Sequence, residues 1–250
     1  MEDTPPVENY QDALARIERA VDEGNPDLRR LGFWPLVNRI KVEPALSHHW
    51  AEVVGRIDRK AFEARVRPRL PVWFGNTLLL VATAVWAAAV PVALAIARRS
   101  ATPEPVISGL LVVAAAGGLS ASVHDLAHFV VGRIGGIRFH SYFIGGPLKL
   151  TPGLKIDYEA YLKASPGNRA TMHAAGALAT KAAPFAVFVG AYVPHARAGY
   201  DLLPAWSLWA VLALGAVEIL MDILWSRKVS DWKKVGRELR VAQAQRNAQV

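Results

Sequence analysis

The run VWFGNTLLLVATAVWAAAVPVALAIA, residues 72–97, holds 26 consecutive positions without a charged side chain. A helix rises about 1.5 Å per residue, so about 20 mostly apolar residues cross the hydrocarbon of a bilayer. The run therefore reads as a membrane span, with Pro91 as a kink that lipid-facing helices tolerate. Working outward, three more apolar stretches follow, at about 106–131, 170–193 and 203–225. The expected fold class is an α-helical integral membrane protein with about four transmembrane helices.

Composition narrows the chemistry. The 250 residues are 52% hydrophobic, with a mean hydropathy of +0.20 and no cysteine. Without thiols there is no disulfide framework, iron–sulfur cluster, thiolate zinc site or cysteine nucleophile. Residues 1–70 carry 12 basic and 12 acidic side chains, so the net charge of +8 belongs to the membrane part. Basic residues beside spans reflect topology and anionic lipid, and nucleic acid is not an expected partner. The opening MEDTPPVENY has no basic and apolar leader pattern, so no cleaved signal peptide is expected.

Basic residues also orient the spans. Arg56 to Arg69 precede the first, Arg133 to Arg169 lie between the second and third, and Arg227 to Arg240 follow the fourth. The two opposite loops carry only Arg98, Arg99 and Arg197. The asymmetry predicts that both termini and the 132–169 loop are cytoplasmic.

Three regions are expected outside the bilayer or along its surface. Residues 1–70 read as a soluble helical segment ahead of a 71–228 membrane domain. Tyr10, Leu14, Ile17 and Val21 form an apolar stripe at helical spacing, and Gly24, Asn25 and Pro26 end it. LGFWPLVNRIK reads as the core helix of a small domain, with an interfacial helix as the alternative. His48 and His49, in SHHW, receive no role. Within 132–169, IRFHSYF and LKIDY alternate apolar and polar residues, and Gly145, Gly146, Pro147, Pro152 and Gly153 supply turn residues. That pattern predicts a short β-hairpin against the membrane surface. SPGN, residues 165–168, is expected to break the chain before the third span. Residues 229–250 read as a cytoplasmic helix with Ser230 as N-cap and Asp231 in its first turn.

Ionisable groups inside a bilayer are costly, so those in the spans are candidates for function. The second span carries His124, Asp125 and His128 in SVHDLAHFVVGR; the third carries His173 and Lys181; the fourth carries Glu218 and Asp222. His128 and His124 lie roughly 8 and 14 Å inside Arg133, and Asp222 and Glu218 lie roughly 8 and 14 Å inside Arg227. His173 is roughly 6 Å inside Arg169. All five fall in the cytoplasmic third. Histidines four apart project from one helix face and can share one metal. A catalytic zinc takes three protein ligands and keeps a fourth position for water. Asp222, whose depth falls within the range set by the two histidines, is the expected third ligand. Glu218 and His173 are alternatives, either as the ligand or as groups that orient an imidazole. Lys181 is expected to snorkel or to pair with Glu218. Histidine plus carboxylate also suits iron or manganese.

These residues resemble a family. SVHDLAHFVVGRIGG looks like the active-site helix of the site-2 protease family of intramembrane zinc metalloproteases. The likeness continues through GIRFHSYFIGGPLKL, HAAGALATKAAPF and the last span, over about residues 107–235; residues 1–70 show none. The resemblance implies Zn2+ held by His124, His128 and Asp222, with Asp125 in the general-base position. It implies a transmembrane or membrane-associated protein substrate cut near the cytoplasmic face, its segment adding to the hairpin edge. Two departures stand out: the family base is Glu, and Asp222 is followed by Ile223 without the family's glycine or upstream Asn-Pro.

The expected function is therefore an intramembrane zinc metalloendopeptidase. A catalytically silent relative that binds membrane proteins, and a metal or proton transporter, remain open. A di-iron oxygenase needs more histidines than the seven present, of which His48, His49, His140 and His195 are poorly placed.

Overall fold

Asn9 accepts a hydrogen bond from Gln11 N and starts the first helix, α1 (Tyr10–Asp22). The structure, a computed structural model, describes residues 9–99, 106–145 and 151–248. It divides into two units: residues 1–72, 132–169 and 237–250, and residues 73–131 and 170–236. The first unit gathers three stretches that are separated in the sequence.

In the first unit, Leu14, Ile17 and Val21 are buried along the expected stripe of α1, and Tyr10 packs beside them. The helix ends before Gly24, whose φ of 94° suits a residue without Cβ. α2 (Phe33–Ile40) buries Phe33, Leu36, Val37 and Ile40 and is a core helix. α3 (Pro44–Arg65), opened by Pro44, adds Ala51, Val54, Ile57 and Ala61 to the same core. Glu18 ties α1 to α3 by accepting from Arg56 and Lys60.

A three-stranded antiparallel sheet, β1 (Arg69–Pro71), β2 (Phe139–Gly145) and β3 (Thr151–Ile156), runs in chain order. The hairpin forms as expected, but with two differences. Three-residue β1, too short to show alternation, adds to the free side of β2. Pro152 and Gly153 lie within β3 rather than in the turn. Among the described residues β3 pairs with β2 alone, and an edge strand tolerates proline's missing N–H. Gly153 faces Phe143 in register, where a Cβ would come within 2.8 Å of the ring. Gly146 and Pro147 lie outside the described residues.

α6 (Tyr158–Lys163), capped by Asp157, follows. Ser165 then accepts from Asn168 N, and Pro166 opens α7 (Pro166–Arg197). The SPGN stretch thus starts the helix instead of breaking the chain, because proline suits a first helical position. In this unit Glu238, on α9 (Asp231–Asn247), is buried against Lys41, Arg169 Nε (2.6 Å) and Tyr161 Oη (3.0 Å).

The second unit is built on α4 (Val72–Arg99), α5 (Val106–Ile134), α7 and α8 (Ala205–Val229). All four contain stretches long and apolar enough to cross a membrane, and α4 runs through Pro91. Their shared core is rich in small residues, including Ala89, Ala93, Ala115, Ala116 and Ala191. Small side chains let helix backbones approach closely. Large apolar side chains such as Leu80, Ile107, Leu178, Trp209 and Ile223 point outward.

Candidate metal centre

The α5 sequence HDLAH sets its two histidines one turn apart, with ring centroids 4.7 Å apart and planes perpendicular. Both side chains turn their Nε2 atoms toward one carboxylate oxygen, Asp231 Oδ2, at 3.5 Å for His124 and 3.2 Å for His128. Donor atoms of His124, His128 and Asp231 all lie within 4.8 Å of one another.

The opposite ring nitrogens decide what those Nε2 atoms carry. His128 Nδ1 lies 2.7 Å from the carbonyl of Met172 on α7. A carbonyl only accepts, so the proton is on Nδ1. His124 Nδ1 lies 2.8 Å from Thr180 Oγ1, whose own hydrogen goes to Gly176 O at 2.9 Å. Thr180 therefore accepts from His124, and that proton is also on Nδ1. With Nδ1 so engaged, a neutral imidazole at either position presents its Nε2 lone pair, and Asp231 adds a third electron-rich donor. Such a convergence is repulsive unless a cation or a proton sits among the three.

α7 shapes the approach. Gly176 faces the His128 ring so closely that any Cβ there would clash with it. A glycine is what lets the imidazole lie against the α7 backbone.

The expected site residues divide. His124 and His128 come together as anticipated. Asp222 goes elsewhere: its Oδ2 is ion-paired with Lys181 and accepts from Trp232 Nε1 at 2.9 Å. Asp231 stands where Asp222 was expected. The reason is that depth along a straight span excludes residues past its end, whereas the chain turns at Ser230 and brings the first residue of α9 to α5. The sole sequence signal was an acidic residue opening that helix, which also serves the helix dipole. His173 is buried with its ring 6.2 Å from that of His128, outside the ligand group. Lys181 pairs with Asp222 rather than Glu218 and donates to Ala177 O. Asp125 lies within electrostatic reach of His124, His128, Asp231 and Lys234.

Beside the histidines opens a cleft of about 470 Å³, lined by His124, Thr180, Lys181, Glu218, Asp222 and Asp231 among others. Asp125 does not line it. Among the described residues, one Glu218 oxygen, Oε2, is buried without a hydrogen-bond partner. Thr180, Met172 and Lys234 escaped the sequence reading because hydrogen bonding to a ligand leaves no periodic trace.

Compared with protein-family models, curated proteins and solved structures, the chain matched none.

Proposed function

We propose that this chain is an intramembrane metalloendopeptidase, with zinc held by His124, His128 and Asp231. One observation carries the reading: two imidazoles whose Nδ1 atoms face acceptors turn their Nε2 atoms onto a single carboxylate oxygen. Two nitrogens, one carboxylate oxygen and an adjoining cleft fit a catalytic zinc with three protein ligands. When bound, the ion supplies Lewis acidity, which lowers the pKa of water and polarises a carbonyl. Thr180 and the Met172 carbonyl orient the imidazoles, and the cleft beside them admits water and a peptide segment. Four long apolar helices support a bilayer location, and the basic residues around them support cytoplasmic termini. The likeness of SVHDLAHFVVGRIGG to site-2 proteases supports a peptide bond in a membrane-associated protein as substrate.

The test is the metal content of detergent-purified protein, by mass spectrometry. About one zinc per chain is expected, lost in His124→Ala and Asp231→Ala and retained in Asp222→Asn. With the protein reconstituted into liposomes, hydrolysis of a labelled single-span protein in the same vesicles should stop on chelation. A wild-type protein free of divalent metal sinks the reading.

A second reading, a catalytically silent relative that binds membrane proteins, draws on Asp125 lying outside the cleft lining. Activity gained by Asp125→Glu favours the protease. Metal binding without hydrolysis in either form favours the silent relative.

A further inference from the structure

Asp231 uses its two oxygens differently. Oδ2 faces both Nε2 atoms, while Oδ1 accepts from Lys234 Nζ at 2.8 Å, three residues along the first turn of α9. We infer that Lys234 is a positioning residue that confines Asp231 to one-oxygen ligation and so keeps a coordination position free for water. The inference rests on the metal-dependent reading above.

A carboxylate free on both oxygens can chelate a metal and take two positions, and one whose second oxygen is held by an ammonium offers one. The other two ligands can each offer one nitrogen, and hydrogen bonds at Nδ1 make it Nε2. His124 Nδ1 is engaged by Thr180 and His128 Nδ1 by Met172 O. Each ligand therefore has a single donor atom left, and the set is limited to three. Three donors are what a hydrolytic zinc needs if water is to occupy the fourth place. Lys234 is suited to the task by its i,i+3 spacing, which puts its ammonium over the same helix face as the carboxylate. Its side chain is 43% exposed, so replacing it removes the ammonium without opening a core. Lys234 also lies in the field of Asp125, and Asp125 supplies no hydrogen bond to it among the described residues.

The experiment uses the full chain in detergent, with Co2+ as probe in place of zinc. Four-coordinate Co2+ absorbs visible light strongly, and each added ligand weakens the band. Wild type is expected to bind one Co2+ with the intense band. Lys234→Met should bind one Co2+ with most of that intensity lost, and Lys234→Arg, which keeps a cationic donor, should restore it. The inference is overturned if Lys234→Met keeps the intense band or binds no Co2+. It is also overturned if the arginine variant shows the weak band, or if wild type itself does. In those cases metal binding by wild type leaves the proposed function standing. A wild-type chain that takes up neither Co2+ nor Zn2+ overturns both.

Discussion

Thr180 Oγ1 sits 2.8 Å from His124 Nδ1 and passes its own hydrogen to Gly176 O. The hydroxyl is thus a committed acceptor, and it selects the tautomer that aims His124 Nε2 at Asp231. Thr180→Val keeps the shape and removes the acceptor. Loss of such a partner typically weakens metal binding by about 10–100-fold. Competition with a chelator of known affinity measures this, and Thr180→Ser should recover most of the loss. Unchanged affinity in the valine variant would remove Thr180 from the site.

Glu238 compensates two buried cations, Lys41 and Arg169, and accepts from Tyr161. Burial pulls Lys41 down to about 8, and the carboxylate of Glu238 opposes that fall. Glu238→Gln leaves both cations buried without a counter-charge, which costs about 3–5 kcal/mol. Urea denaturation followed by tryptophan fluorescence should show the midpoint fall. Tyr161→Phe, which removes one hydrogen bond and no charge, should cost about 1 kcal/mol.

Glu18 is held down to about 2 chiefly by the hydrogen bonds from Arg56, against an upward push from burial, with a further hydrogen bond from Lys60 adding to the fall. Its ordinary value is 4.5, so the unfolded chain takes up the proton first as pH falls. The contribution is complete above 4.5 and is lost as pH drops toward about 2. In wild type the urea midpoint should decline across that window, and Glu18→Gln should flatten the decline. Identical slopes would show that Glu18 does not couple α1 to α3.

The absence of cysteine turns topology into a simple labelling experiment. Single cysteines replace Lys163, in the loop expected to be cytoplasmic, and Ala198, in a loop expected on the other face. A membrane-impermeant maleimide added to intact cells should label Ala198→Cys only. Labelling of Lys163→Cys from outside would invert the orientation derived from basic residues.

Much of the architecture was legible in sequence because it rests on local periodicity and apolar length. The stripe of Leu14, Ile17 and Val21 and the 72–97 run are properties of consecutive residues: the stripe is buried in its core, and the run forms one long apolar helix. HDLAH likewise declares its geometry, since residues four apart on a helix must share a face. What the chain alone did not determine is where it turns. Ser165 and Pro166 start α7 because a hydroxyl caps it, and Arg69–Pro71 becomes a strand only because β2 offers an open edge. The third candidate ligand depended on the same kind of fact. Asp222 has the right depth on a straight helix, yet Lys181 and Trp232 engage it. Asp231 lies past the end of α8 and meets the histidines because the chain bends at Ser230. Depth and spacing are one-dimensional quantities, and the meeting of α5, α7 and α9 around one oxygen is a three-dimensional one that only the tertiary structure decided.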